Sequence, residues 1–384
     1  MIGSGSHDTS LRIGDYTWCE PDYRQILLWA EALKMDPVTV IEKLVGGKQG
    51  EICRTRFEDG RIVSLWWNLA ELPLSDFRCV DGLAIEKLRL DRFLRIGPIK
   101  ETPEIVLRMP SLRTLACAAC DIEVLALADV PALTEVWCWG NPLTTFALSC
   151  VPNLIKLSCW CDQLTDLDLS NVPNLTSLDC SRNRLTELDL SNVPNLTSLD
   201  FSENNVAELP LWRVPELTSL SCSLNQIAEL DLSHTPHLTA LVCSGNRLTE
   251  LDISPVPKLT TLDCHENRLT QLELSNVPKL TTLDCRENRL TQLELPNVPH
   301  LTDLSCSGNE LEELDLSHVP HLDGLSCSGN LLMELDLSHV PELTFLSCCN
   351  NPITELDIRP LRKLESLSYD SETTHLIQRE DQEF

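Results

Sequence analysis

Cysteine is the residue type whose number and spacing most invite a chemical interpretation. The chain has 18 cysteines, and eleven of them recur at one phase of a 21-residue spacing, with Phe201 in the missing place. These are Cys117, Cys138, Cys159, Cys180, Cys222, Cys243, Cys264, Cys285, Cys306, Cys327 and Cys348. A column of small apolar side chains indicates core packing rather than disulfide bridges, and thiols persist in a reducing compartment. We therefore predict buried thiols and a cytoplasmic location.

The remaining cysteines could do chemistry if one of them were activated. Cys19, Cys53 and Cys79 are the candidate nucleophiles of a cysteine-dependent transferase, in which a thiolate would attack the substrate. Cys117 and Cys120 have CxxC spacing, but no second pair accompanies them as a zinc site would require. The sequence also has no phosphate-binding loop, dinucleotide fingerprint or serine-hydrolase elbow. The favoured interpretation has no catalytic residue, no metal and no cofactor.

Carboxylates recur in register as well. Asp179, Asp200, Asp263 and Asp284 share one position of the spacing, and Asp303 stands beside them. Such a column could hold a hard cation or supply an acid and a base, but it would lie in an open groove with no lid. Histidines gather only in pairs, whereas a zinc site needs three or four converging ligands. We predict a solvated acidic patch, with Asp179 and Asp200 in a protein-binding surface.

Tryptophans give the most specific indication of a binding surface. Trp137 and Trp139 flank an inward cysteine, and Trp160 takes the position of Trp139 one repeat later. Trp66 matches the position of Trp137 if two irregular upstream repeats are fitted. Tryptophan is a strong interface anchor because it buries a large area and keeps a polar N–H at its edge. The sequence leaves two interpretations open, a protein-binding site or a surface covered by the N-terminal segment.

These residues are positioned by an internal repeat. Prolines recur every 21 residues from Pro110 to Pro341, which defines twelve consecutive units. The unit Asn174–Pro194 reads NLTSLDCSRNRLTELDLSNVP. Its inward positions are Leu175, Leu178, Cys180, Leu185, Leu188 and Leu190, which can be buried only by stacking on neighbouring units. Alternation around Leu178 predicts a short strand, and a recurring Asn after it predicts a ladder of side-chain amides that satisfy backbone groups.

The pattern LxxLxCxxNxL, as in Leu175–Leu185, resembles the leucine-rich repeat signature with Cys in one Leu position. The whole unit is similar to short leucine-rich repeats of bacterial proteins, broadly internalin-like in period, and it covers Pro110–Leu361. The resemblance implies an α/β repeat solenoid, a horseshoe with a concave parallel sheet and a mostly extended convex side. It also implies protein binding in the concave groove.

The segments around the regular repeats suggest four regions. Residues 1–59 are predicted to form a small helical N-terminal cap, with one helix over Pro21–Leu33 and another starting at Asp36-Pro37. The first helix is expected to have an apolar face formed by Ile26, Leu27, Trp29 and Leu33. Residues 60–109 are predicted to form degenerate repeats and 110–369 regular ones, about fourteen coils together. Residues 370–384 are predicted to be a C-terminal tail.

Charge and hydropathy limit the partners. The chain has 384 residues, 42% hydrophobic, with 30 Lys and Arg against 58 Asp and Glu and a formal net charge of −28. Such a charge argues against nucleic acid or an anionic membrane as the ligand, and favours solubility and a basic protein partner. No apolar run approaches the ~18 residues of a membrane-spanning helix, and the first residues lack the core of a signal peptide. We expect a monomer.

The function that the sequence favours is non-enzymatic binding of a protein partner by a bacterial solenoid. One alternative is an exported effector that acts in the reducing cytosol of a host cell. The other is the cysteine-dependent transferase described above.

Overall fold

The computed structural model describes residues 11–13, 15–45, 55–58, 61–79, 83–91 and 104–382. The chain divides into two compact units, Met1–Leu185 and Thr186–Phe384. Each unit is built from coils in which a short parallel strand alternates with an extended return segment. The predicted parallel-sheet solenoid with few helices is confirmed.

The first unit begins with a hairpin and two helices. Strands β1 (Leu11–Ile13) and β2 (Tyr16–Trp18) pair antiparallel. Helix α1 (Glu20–Leu33) has a proline in its first turn, and α2 (Pro37–Val45) is capped by the Asp36 carboxylate, which accepts the backbone N–H groups of Val38 and Thr39 at 3.0 and 3.2 Å. The two predicted helices are confirmed, whereas the hairpin was not predicted. Among the described residues, no helix is long and apolar enough to cross a membrane.

Helix α1 covers an end of the hydrophobic core. Ile26 and Trp29 are buried, and the Trp29 ring meets the edge of Trp67 with centroids 5.0 Å apart. Asp22 is fully buried, and the Ile62 N–H, which donates to its Oδ1 at 2.8 Å, compensates part of the desolvation cost. The expected apolar face included Leu27, which is wrong: Leu27 is 38% exposed. The buried face instead follows the helical period through the polar side chains of Asp22 and Gln25.

The strands of the first unit form two sheets. They are β3 (Arg56–Glu58), β4 (Arg61–Asn68), β5 (Asp76–Arg78), β6 (Lys87–Asp91), β7 (Glu104–Arg108), β8 (Thr114–Ala116), β9 (Val124–Asp129), β10 (Glu135–Trp137), β11 (Lys156–Ser158) and β12 (Ser177–Asp179). The main sheet has the order β3-β4-β6-β8-β10-β11-β12, parallel except for β3, and β5-β7-β9 form a second sheet. Leu65 pairs with Leu88 and Leu88 with Leu115, which confirms the register fitted to the irregular upstream repeats.

The second unit repeats one coil with little variation. Its strands are β13 (Ser198–Asp200), β14 (Ser219–Ser221), β15 (Ala240–Val242), β16 (Thr261–Asp263), β17 (Thr282–Asp284), β18 (Asp303–Ser305), β19 (Gly324–Ser326), β20 (Phe345–Ser347), β21 (Glu355–Asp357), β22 (Ser366–Ser368) and β23 (His375–Ile377). Strands β13 to β20 and then β22 form a parallel sheet, and β21 pairs with β23. A 3₁₀ turn spans Leu211–Arg213.

The asparagine ladder joins successive coils as predicted. Asn267 accepts the Leu248 N–H on Oδ1 at 3.0 Å and donates from Nδ2 to the carbonyls of Cys243 and Cys264 at 3.0 and 3.1 Å. The residue before it, Glu266, has φ 52°, so the chain turns inward there through a left-handed conformation. The amide thus satisfies backbone groups that this turn removes from the strand ladder.

The column cysteines are packed as predicted. Cys243, Cys264 and Cys285 have no exposed surface, and the cysteines of the described chain are thiols. Burial raises the pKa of the Cys264 thiol well above its ordinary value, so it stays protonated and unreactive. The column therefore acts as a row of small hydrophobic side chains.

The predicted C-terminal tail is wrong for residues 370–382. Strand β23 pairs in parallel with β21, and the Gln382 amide nitrogen donates to the carbonyls of Ile358 and Leu361 at 3.1 and 2.8 Å. These residues form part of a further coil that covers the end of the last core. This coil was not predicted from the sequence because its residues depart from the 21-residue spacing.

Candidate functional site

The outward side chains of the main sheet in the first unit form a surface that we call the sheet face. Strand register places six residues in its middle column, namely Trp66, Arg89, Ala116, Trp137, Ser158 and Asp179. Their inward neighbours, such as Val136 and Cys138, have no exposed surface. Because side chains alternate along a strand, Trp137 must point away from the core. The predicted position of Trp66 in this column is confirmed by the strand register.

The three clustered tryptophans lie together on the sheet face. Trp137 is 39% exposed, and Trp139 and Trp160 are half-buried. The rings of Trp139 and Trp160 stack with centroids 4.7 Å apart and planes 12° apart. The guanidinium of Arg182, one coil further, lies 6.0 Å from the Trp160 ring. This stack orders two large apolar rings at the surface before any partner arrives.

A shallow pocket of about 410 Å³ lies beside Trp137 and Trp139. Its small residues are Ala116, Ala118 and Ala119, and its opposite wall is Arg89–Asp91. The pocket exists because this coil carries Ala116 and Ala118 at the outward positions that Trp137 and Trp139 occupy in the next coil. Sequence reasoning missed this pocket, although alanine between large residues in the same columns was a visible signal.

Trp66 has a different role from the other tryptophans. Its indole N–H donates to the Asp91 carboxylate, which also accepts Nε of Arg89 at 2.8 and 3.1 Å. Asp91 is only 8% exposed, so these donors compensate a nearly buried charge. Trp66 and Arg89 thereby fix the wall of the pocket.

The alternative that the N-terminal segment covers the tryptophans can be compared with the packing of its helices. Helix α1 packs through Trp29 on Trp67, and Trp67 packs on Phe77 with centroids 5.2 Å apart. Trp67 points into the core, on the side of β4 opposite to Trp66. In the part of the chain that the structure describes, α1 therefore covers the core end, and Trp137 remains exposed.

The two aspartates predicted for the binding surface are engaged locally. Asp179 accepts the Ser181 hydroxyl at 2.7 Å and the Ser181 N–H at 3.2 Å. In the second unit, Asp200 accepts the Ser202 N–H at 2.9 Å. Both carboxylates thus bind a serine two residues ahead and keep part of their surface for solvent.

A denser charge cluster lies in the second unit. Ligand atoms of Asp263, His265 and Asp284 all lie within 4.8 Å of one another. Nδ1 of His265 is 2.6 Å from Oδ1 of Asp263, and Arg286 donates to both oxygens of Asp284 at 2.6 to 3.0 Å. A cation at this cluster would have to displace the guanidinium. The arrangement combines the Arg286–Asp284 ion pair with the contact between His265 and Asp263, which the aspartate column alone did not reveal.

Neither of the two candidate nucleophiles that the structure describes has a lowered pKa, although Cys19 is the N-cap residue of α1. Desolvation, followed by a hydrogen bond to Asp22, raises the pKa of Cys19. Burial raises the pKa of Cys79 to about 12. An activated cysteine needs a lowered pKa, usually from a neighbouring cation or a helix N-terminus. Cys53, the third candidate, lies outside the described residues.

Comparisons with known proteins agree with this architecture. A family model for leucine-rich repeats in two copies matches residues 173–211. A search of curated proteins finds no match. The functional domain of InlJ from Listeria monocytogenes, which includes a cysteine ladder, is 33% identical with a TM-score of 0.68, covering 80% of this chain and 67% of that one.

Two other solved structures share the fold. The internalin InlF from Listeria monocytogenes is 23% identical with a TM-score of 0.64, over 80% of this chain and 87% of that one. The plant peptide hormone receptor RGFR1, solved in complex with RGF2, is 20% identical with a TM-score of 0.56, over 79% of this chain and 52% of the receptor. The chain thus spans about half of the receptor structure. The chain belongs to the leucine-rich repeat family, as shown by its similarity to the functional domain of InlJ together with its repeat, strand register and asparagine ladder.

Proposed function

We propose that the protein is a non-enzymatic protein-interaction module whose partner binds the sheet face of the first unit, around Trp137, Trp139 and Trp160. The exposed Trp137 beside the stacked Trp139–Trp160 pair is the observation that carries this proposal. Family and fold support a protein-interaction module, because repeat solenoids present extended surfaces for recognition.

The residues around the tryptophans suit a protein ligand. The pocket offers apolar alanine surface and aromatic rings beside the Arg89–Asp91 pair, the mixture expected of an interface core with a polar edge. Net charge of −28 favours a partner that is basic overall, since long-range attraction speeds encounter. Asp179 and the half-buried Trp66 would lie at the border of the contact. We propose a monomer, bacterial in origin, in a reducing compartment.

A second candidate function keeps the same binding surface but places it elsewhere. The thiol-rich core suits any reducing cytosol, so an exported bacterial effector acting inside a host cell would be equally stable there. The transferase alternative has less support, because burial raises the pKa of both described candidate thiols.

The experiment starts from a partner captured from cell lysate by the full chain. Trp139→Ala should weaken its binding by about 2 kcal/mol or more, roughly 30-fold in Kd, because a desolvated aromatic anchor is lost. The matched control is Trp212→Ala, which removes a tryptophan that is 53% exposed in the second unit. Titration calorimetry measures both affinities, and melting temperatures check that both variants fold.

An unchanged Kd for Trp139→Ala would contradict the proposed binding surface. A large fall in melting temperature without a specific binding defect would show that Trp139 is structural instead.

A further inference from the structure

One position of the asparagine ladder carries an acid. Asp162 occupies the place of the ladder asparagine in its coil and is only 7% exposed. Its Oδ1 accepts the Asn141 N–H at 2.7 Å. Its Oδ2 is buried and has no hydrogen-bond partner among the described residues. A buried carboxylate oxygen without a partner carries a large desolvation cost.

The adjacent ladder members show what Oδ2 replaces. Nδ2 of Asn141 donates to the carbonyls of Cys117 and Cys138 at 2.9 and 2.5 Å. Nδ2 of Asn183 donates to the carbonyls of Cys159 and Cys180 at 2.9 and 3.0 Å. In both cases the acceptors lie 24 and 3 residues before the asparagine. The same register assigns Oδ2 of Asp162 to the carbonyls of Cys138 and Cys159.

Two carbonyl oxygens repel a carboxylate, but one of them can accept a proton from a carboxylic acid. A neutral Asp162 keeps an acceptor oxygen like that of asparagine and has one O–H donor where asparagine has two N–H donors. The ionised form would place a charged carboxylate oxygen beside two partially negative carbonyl oxygens in a site that excludes water.

The titratable groups that face Asp162 do not offset such a charge. They are the thiols of Cys117, Cys138 and Cys159, all fully buried, and burial raises their pKa values well above the ordinary value. None of these supplies a positive charge. Burial likewise raises the pKa of Asp162 to about 8, against the hydrogen bond from Asn141, which lowers it.

Asp162 also links the two turns that present the stacked tryptophans. The Asn141 N–H binds Oδ1 of Asp162, and next to it the Gly140 N–H donates to the Trp160 carbonyl at 2.9 Å. Cys161, between Trp160 and Asp162, has φ 60° and donates its N–H to the Ser181 carbonyl at 2.9 Å. Charge on Asp162 would therefore strain the segment that orients Trp160 against Trp139.

We propose that Asp162 is a neutral carboxylic acid in the folded protein, and that its proton, shared with a ladder carbonyl, holds together the turns that carry Trp139 and Trp160. The stacked pair is then a proton-dependent element of the fold. Its significance for partner binding rests on the proposed function, whereas the proton itself does not.

The sign of the effect follows from linkage. In the unfolded chain the pKa of Asp162 is about 4, whereas in the folded protein its pKa is about 8. Between these values the folded state binds one more proton, so this residue makes the protein less stable as pH rises from about 4 to about 8. The contribution becomes constant above that range.

Asp162→Asn tests the proposal, because it places at this position the residue found at the adjacent ladder positions Asn141 and Asn183. The melting temperature of Asp162→Asn minus that of wild type should increase with pH. This difference should be at least about 3 °C larger at pH 8 than at pH 5. A gain that is equal at the two pH values, or absent at both, overturns the proposal.

Two further measurements separate the proton from its coupling to the tryptophans. Asn183→Asp places the same acid one coil further. Its loss of stability relative to wild type should become larger as pH rises from 5 to 8.

The circular dichroism of the stacked indoles, identified by its loss in Trp160→Phe, should change from pH 7 to pH 9 in wild type and stay constant in Asp162→Asn. A constant signal in wild type refutes the coupling. None of these readouts needs a partner, so they stand apart from the proposed function.

Discussion

Replacing Asn267 by alanine is expected to lower the free energy of unfolding by about 3–5 kcal/mol, among the largest effects of any single substitution in the second unit. Nδ2 of Asn267 has three carbonyl acceptors within 3.2 Å for its two N–H donors, and Oδ1 accepts one backbone N–H. It is 8% exposed, so the backbone groups left behind cannot easily reach water. Each buried group without a partner costs on the order of 1–3 kcal/mol.

The matched control is Asn276→Ala, in the same repeat. Asn276 is exposed and reaches only the Ser275 hydroxyl at 3.5 Å, so its loss should change stability by less than about 0.5 kcal/mol. Urea unfolding measures both, and hydrogen exchange at Leu248, whose N–H binds Asn267, shows whether the loss is local. Equal stabilities for the two variants would show that the ladder is not a main source of stability.

Trp29→Ala is expected to destabilise the first unit by about 3–5 kcal/mol, because removal of the indole leaves a cavity between α1 and the core. Trp29 is 1% exposed and packs on Trp67, which is fully buried. Exposure of Trp67 and Phe77 should also promote aggregation, since the first coil of a solenoid needs a cover. This prediction tests whether residues 1–59 act as a cap.

Leu27→Ala, on the same helix, is the control. Leu27 is 38% exposed, so its truncation should cost less than about 1 kcal/mol. Thermal unfolding and light scattering compare the two variants. If Trp29→Ala melts at the wild-type temperature and stays monomeric, the N-terminal residues are an independent domain.

The repeat made much of the fold predictable from sequence. A fixed spacing fixes the direction of every side chain, so one unit predicts the burial of Cys264 and the outward position of Trp137 by counting. The same counting extended correctly to Trp66, whose register holds despite irregular spacing. Local helix signals at Asp36 and Pro37 were equally reliable, because capping depends on adjacent residues.

Features that depend on contacts between distant segments were not predictable in this way. The pocket wall needs Trp66, Arg89 and Asp91 to meet across two strands, and spacing does not predict that hydrogen bond. Burial of Asp22 on α1 depends on the Ile62 N–H, 40 residues later. Asp162 was visible as an exception to the ladder, but only the structure shows that its second oxygen has no donor among the described residues.

Oxidative footprinting of the tryptophans, with and without the captured partner, tests the proposed binding surface most directly. Mass spectrometry after brief exposure to hydroxyl radicals reports the accessibility of each indole. We expect oxidation of Trp137 to fall by about threefold or more in the complex, as an interface anchor is desolvated. Trp212, exposed in the second unit, should be oxidised as before. Protection of Trp212 with unchanged oxidation of Trp137 would contradict the assignment of the binding surface to the first unit.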